Sequence, residues 1–132
     1  AQIAAATADI EAAIDRVADV VDFRGISALV GLAGSVTTIT AHALQLTTYD
    51  AEMIHLSQLP ADQIIDACTS LLSMTRAERA ALGFMHEGRV DVIGAGGLVW
   101  RTIVQRLRRD AGITEVVTSE HDILDGIALS CV

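Results

Sequence analysis

Lysine is absent from this sequence; all nine positive residues are arginine. A genome rich in G and C, whose codons favour arginine, accounts for that composition. It leaves open that one of the nine meets a phosphate, for which a guanidinium offers a forked, bidentate contact. Positive charge is scarce in total. The net charge of −8 argues against general binding to nucleic acid or to anionic membranes. No apolar run approaches the ~20 residues a membrane span needs. The start, Ala1–Ala6, has neither the basic stretch nor the apolar stretch of a signal peptide. There is no initiator methionine, so the expectation is a chain that begins inside a longer, cytoplasmic protein. Only two cysteines occur, Cys68 and Cys131, far from any zinc or disulfide pattern. Both sit in apolar helical patterns and read as buried thiols of a reducing compartment. His42, His55, His86 and His121 show none of the paired spacings of a metal site. Internal repeats and low-complexity stretches are missing too, apart from the alanine-rich start.

What is present is enough for one domain, 1–132, with a real core. Hydrophobic residues make up 52% of the 132, which excludes disorder. Ile10, Ile14, Val17 and Val21 share one face of a helix predicted over 7–21, capped by Thr7, with Glu11, Asp15 and Asp19 on a solvated face. Ser27–Ala33 is a short apolar run bounded by glycines, the mark of a buried strand. Val36–Leu46 reads as a helix despite its β-branched residues. Tyr49–Gln58 is a connection with a brief extended piece at Met53–Leu56. Pro60 opens a helix whose inner face is Ile64, Cys68, Leu71 and Leu72. Thr75-Arg76-Ala77-Glu78 is a capping box. A break at Gly94-Ala95-Gly96-Gly97 precedes a helix over Leu98–Arg109, stacked on Val99, Ile103 and Leu107 and stopped by Gly112. Ile113–Thr118 is a strand and Asp122–Cys131 a last helix. Two strands separated by long helical stretches imply parallel pairing in an α/β fold. Tyr49 and Trp100 read as packing residues.

Three segments invite chemistry. Gly31-Leu32-Ala33-Gly34-Ser35 ends a strand and opens a helix, where free N–H groups and the positive helix end suit an anion. It lacks the lysine of a P-loop, and Ser35 does not lie between two glycines as a nucleophile elbow requires. The alternative is a tight turn with Ser35 as an ordinary helix cap. Gly88-Arg89-Val90-Asp91-Val92-Ile93-Gly94-Ala95-Gly96-Gly97 crowds four glycines into ten residues beside Arg89. That arginine is either a fork for phosphate or a solvated or salt-bridged surface residue. Ser119-Glu120-His121-Asp122-Ile123-Leu124-Asp125-Gly126 follows a strand end, where open α/β sheets bind ligands. Helix capping by Ser119 or Asp122 explains it equally.

Val30–Ala41, Met85–Leu98 and Thr118–Ala128 occur in this order in the C-terminal half of the Ppx/GppA proteins, the exopolyphosphatases and guanosine pentaphosphate phosphohydrolases. The sequence resembles their actinobacterial branch from about Ala5 to its end. The resemblance implies part of the second ribonuclease-H-like lobe of the actin-like ATPase and sugar kinase superfamily, truncated and helix-rich with about two parallel strands. It implies hydrolysis of a terminal phosphoanhydride of polyphosphate or guanosine pentaphosphate, by water attack aided by magnesium or another divalent metal. The family's Asp-x-Gly-(Thr/Ser)-Asn-Ser and Gly-Gly-Gly-Ser-Thr-Glu loops, and the catalytic glutamate before the second, have no match here. No catalytic residue and no metal ligand is therefore carried over. Gly31, Gly34 and Ser35 match the loop lining the cleft, and Arg89 matches an arginine thought to meet phosphates. Should these residues prove active alone, Glu87, Glu120 or Asp122 would be the carboxylates to suspect.

Two readings compete. One is a cleft wall of an enzyme, inert by itself. The other is a non-catalytic module that senses guanosine tetra- or pentaphosphate or mediates assembly. A kinase of the same superfamily fits the Arg89 and Ser119–Gly126 segments poorly. If strands are missing beside Ser27–Ala33, an open edge would recruit other chains, giving a homo-oligomer.

Overall fold

In the computed structural model, which describes residues 1–131, three short strands form one sheet. They are β1 (Leu29–Gly31), β2 (Gln58–Pro60) and β3 (Glu115–Thr118), in the order β1-β3-β2. β1 and β3 run parallel, as the sequence predicts, with Val30 opposite Val117. β2 joins the other edge of β3 antiparallel, Leu59 opposite Val116, so the sheet is mixed rather than a parallel pair. Three residues ending in proline carry no alternation to read. Proline is tolerated there because β2 is an edge, where a missing N–H costs no ladder bond.

The first helix, α1 (Gln2–Ala18), begins at Gln2 and not beside Thr7. The alanine-rich start has the propensity to be helical by itself, and the Thr7 hydroxyl donates back to Ile3 O at 2.8 Å inside the helix. Glu11 and Asp15 are not merely solvated. Both bind Arg106, at 2.9 and 2.6 Å, whose side chain is only 13% exposed. Those bonds, Asp15 first, then Asp110 and Glu11, raise the guanidinium pKa further above its ordinary value.

α2 (Gly34–Ala43) confirms a helix where Val36, Thr37, Thr38, Ile39 and Thr40 prefer strand. All five are buried, so tertiary burial overrides local preference. The threonine hydroxyls are also used: Thr38 donates to Gly34 O at 2.7 Å, and Thr40 pairs with Thr118 on β3 at 2.7 Å. The expected extended piece at Met53–Leu56 is instead the short helix α3 (Ala51–Ile54), capped by the Asp50 carboxylate.

α4 (Ala61–Ser73) follows Pro60 and buries Ile64, Cys68 and Leu71. Thr75 and Glu78 form the capping box of α5 (Arg76–Ala80). α6 (Ile93–Ala111) runs unbroken through Gly94-Ala95-Gly96-Gly97, where a break is predicted. Each glycine there makes room for a neighbour. A Cβ on Gly97 would lie 3.4 Å from Cys68 O on α4, and one on Gly96 would lie 2.8 Å from Ser35 Oγ. Close helix approach outweighs the helix cost of glycine. The expected stripe of Val99, Ile103 and Leu107 divides. Leu107 is buried, whereas Val99 and Ile103 face α1 across a shallow apolar groove. Gly112 ends α6 in the left-handed region, φ 71°.

The core lies between α4, α6, α2 and the sheet, with Ile39, Ile64, Leu71, Ile93, Val104 and Val116 at its centre. Trp100 packs into it as expected. Cys68 is buried, and burial pushes its thiol up to about 12. Cys131, expected to be buried, is exposed. It follows α7 (Ile123–Ser130), which starts with an Asp122–Asp125 capping box and buries none of its residues.

Candidate functional site

β1 stops at Gly31 for a steric reason. A Cβ there would stand 2.6 Å from the Trp100 ring and 2.7 Å from Val36. Two residues later the chain turns into α2 through Ala33, whose φ of 72° and ψ of 167° belong to a region nearly reserved for glycine. Such strain persists only where packing over-determines it. It aims the start of α2 outward, and no side chain caps that start. The first N–H groups of a helix lack intrahelical acceptors and carry the positive end of its dipole, which favours an anion.

Arg89 covers the same helix end. A methyl group on Gly34 would overlap its guanidinium, so glycine is what lets the charge lie on the backbone. The arginine is held from behind. His86 Nδ1 accepts the Gly88 N–H at 3.1 Å, and Arg89 N–H donates to His86 O at 2.9 Å. This tight turn, Glu87–Arg89, leads to Val90, which is buried. The backbone at Arg89 is therefore fixed while its side chain projects forward. Among the described residues it makes neither an ion pair nor a side-chain hydrogen bond, unlike the other eight arginines. A half-buried guanidinium with no protein partner keeps its fork available to an anion.

The open side is a cavity of about 460 Å³. Gly34, Thr37, Thr38, Tyr49, His86 and Arg89 are among its walls. The Tyr49 hydroxyl donates to Glu120 Oε1 at 2.5 Å. Burial first, then that carboxylate, raises the phenol pKa above its ordinary value, against smaller lowering effects of Thr37 and Arg89. Glu120 is brought here by β3. Beyond the strand, Ser119 N–H donates to Gly31 O at 2.8 Å, and Glu120 N–H donates to His55 Nδ1 at 3.1 Å. The His55 ring lies 4.5 Å from that of His121.

The three segments read from the sequence thus meet at one end of the sheet. Their residues do different jobs. Gly34 and Arg89 are in contact at the cavity. Gly31 supports Trp100 packing and its carbonyl holds Ser119. Ser35 turns toward Gly96 of α6 and does not cap α2, whose cap position is Ala33. Asp122 does cap α7. The sequence reading missed Tyr49 as a site residue. It is 44% exposed on the cavity rim, and a lone tyrosine in a loop carries no spacing that could have disclosed its partner far along the chain. Among the described residues no three His, Cys, Asp or Glu side chains gather to hold a metal ion. The residues present do not fit a divalent cation. What they can do is bind and orient a multiply charged oxyanion.

Comparison with known proteins places the chain in a family and identifies its fold. The sequence profile of the Ppx/GppA phosphatase family matches residues 1–131. Exopolyphosphatase 2 of two Mycobacterium tuberculosis strains is 54% identical over 101 residues, 76% of this chain and 32% of the relative. The chain therefore spans about a third of that relative's length. A crystal structure of an exopolyphosphatase-like protein superposes with a TM-score of 0.95 and 36% identity, over 98% of this chain and 42% of the other. A Ppx/GppA family member from Aquifex aeolicus shares the fold, with a TM-score of 0.79 and 19% identity over 97% of this chain and 39% of the other. The helix-rich α/β fold with its mixed sheet is the fold of these structures. Together they establish that the chain belongs to the Ppx/GppA phosphatase family.

Proposed function

We propose that this chain is a second-lobe portion, residues 1–132, of a cytoplasmic exopolyphosphatase. It supplies one wall of a cleft in which terminal phosphate is hydrolysed from inorganic polyphosphate. Arg89 carries this reading: among the described residues it is the one arginine left without a partner, and it lies across an uncapped helix end. In the proposed complex the α2 N–H groups at Gly34 and Ser35 and the Arg89 fork grip successive phosphates, and the Gly31 turn holds α2 at the cleft. The chain's contribution to catalysis is then positioning and charge neutralisation. The attacking water and any divalent metal would be managed by groups outside the described residues.

Guanosine pentaphosphate presents the same oxygens. A guanosine polyphosphate hydrolase or sensor is the second reading, and the half-exposed ring of Tyr49 at the rim favours it as a surface for a base. Titrating inorganic tripolyphosphate into the full chain, followed by calorimetry, tests the site. Arg89→Gln is expected to weaken binding about tenfold or more, the loss of roughly 1.4 kcal/mol. Equal affinity in the variant removes Arg89 from the site. Competition by guanosine triphosphate and uridine triphosphate, which carry the same charge, separates the readings, because a preference for the guanine compound requires a base contact. Phosphate release from polyphosphate with magnesium, by the full-length protein and its Arg89→Gln variant, then checks the activity.

A further inference from the structure

Among the described residues Arg89 stays unpaired, in a chain with 17 acidic side chains, and that needs a cause. Glu120 is the carboxylate in question. It leaves the end of β3, whose next residue, Ser119, is bonded to the end of β1, so it emerges beside the start of α2. It has one side-chain partner, the Tyr49 hydroxyl at 2.5 Å. The same phenol lines the cavity with Arg89, and the charges of both Glu120 and Arg89 act on it. Tyr49 thus bonds the carboxylate and shares the cavity wall with the guanidinium. No ion pair joins them among the described residues.

We propose that Tyr49 is a positioning residue, tethering the Glu120 carboxylate away from Arg89 and so keeping the guanidinium open to a phosphate ligand. This rests on the reading of the α2 end as a phosphate site. The chemistry suits the task. In this proposal, a carboxylate released from the phenol swings toward the guanidinium and occupies the fork that a phosphate requires. A phenol satisfies the carboxylate with a neutral donor on a rigid ring. It adds no cation to compete for phosphate and few degrees of freedom to lose. Glu120 is fastened from its backbone as well, through His55 Nδ1. Only its side chain therefore depends on Tyr49.

The test uses the full chain, inorganic tripolyphosphate and four variants, with folding checked by circular dichroism. Tyr49→Phe keeps the ring and deletes the donor, and its affinity is expected to fall about tenfold, the scale of one hydrogen bond to a charged group. Adding Glu120→Gln to Tyr49→Phe removes the competing charge and is expected to restore affinity to within about twofold of the parent. Glu120→Gln alone is expected to bind at least as tightly as the parent. A structural role for Tyr49 would leave the double variant as weak as Tyr49→Phe, and that result overturns the tether, as does weaker binding by Glu120→Gln alone. Arg89→Gln separates the two ideas. If it binds like the parent, the phosphate-site reading fails. If it loses binding while Tyr49→Phe keeps the parent affinity, the tether alone fails.

Discussion

Two arginines in this chain lie on two glycines, and they could not be more differently employed. Arg79 rests on Gly94, where a Cβ would come within 2.7 Å of its guanidinium, and Arg89 rests on Gly34 in the same manner. Arg79 donates to Leu71 O at 2.9 Å and Leu72 O at 3.3 Å. These are carbonyls in the last turn of α4, which lack intrahelical partners, and a cation there also meets the negative helix end. Arg89 donates to nothing in the described residues and faces a cavity at a positive helix end, where a cation is disfavoured without an anion. The close approach is alike; the accounting of hydrogen bonds differs. A satisfied guanidinium at a helix C-terminus is architecture. An unsatisfied one at a helix N-terminus is what the proposed phosphate site rests on.

Stability measurements should split the pair most widely. Arg79→Met is expected to lower the unfolding free energy by about 2–3 kcal/mol, because it orphans two carbonyls bonded to a charged donor. Arg89→Met should change it by less than about 0.5 kcal/mol. Urea denaturation of both variants checks this, and equal losses would erase the distinction. The glycines should differ in sign. Gly94→Ala displaces a guanidinium that is bonded in place, and a net loss of roughly 1 kcal/mol is expected. Gly34→Ala displaces an unbonded one, so the protein should be as stable or slightly more so, since alanine is the better helix former. Its cost should appear as weaker tripolyphosphate binding instead.

The smallest effect is spectroscopic. Tyr49 is the only tyrosine, so the phenolate absorbance titrates one group. Its midpoint should lie above the ordinary 10. Glu120→Gln should lower it, because the carboxylate that accepts the phenolic proton and opposes the phenolate charge is gone. Arg89→Gln should raise it, because a favourable cation is removed. Opposite shifts would confirm that both charges bear on one ring. Shifts in the same direction would mean that Tyr49 does not stand between them.

Much of the fold was legible because it follows local rules. The Thr75–Glu78 capping box, the Gly112 stop, the inner face of α4 apart from Leu72, which is only partly buried, and the parallel pairing of β1 with β3 appear where sequence reasoning places them. The failures share a cause. Gly94–Gly97 reads as a break because glycine is a poor helix former, but those glycines admit Arg79, Ser35 and the α4 backbone, and burial outweighs propensity. β2 is too short to show a period. At the site, the Gly31–Ser35 turn and Arg89 were visible as motifs. The division of labour among them was not, because nothing local says that Ser35 faces α6 while Gly34 faces Arg89.

The sequence by itself determined the family, most of the helices and the two parallel strands, and it marked a turn and an arginine as candidates for phosphate. Periodicity, caps and motifs are properties of neighbouring residues, and each is written within a few turns of chain. Only the tertiary structure decided that Arg89 lies on Gly34 without a partner among the described residues, that Tyr49 holds Glu120, and that Arg79 answers the end of α4. Those are contacts between residues distant along the chain. Their meaning lies in which donors and acceptors remain unpaired once every other one has been satisfied.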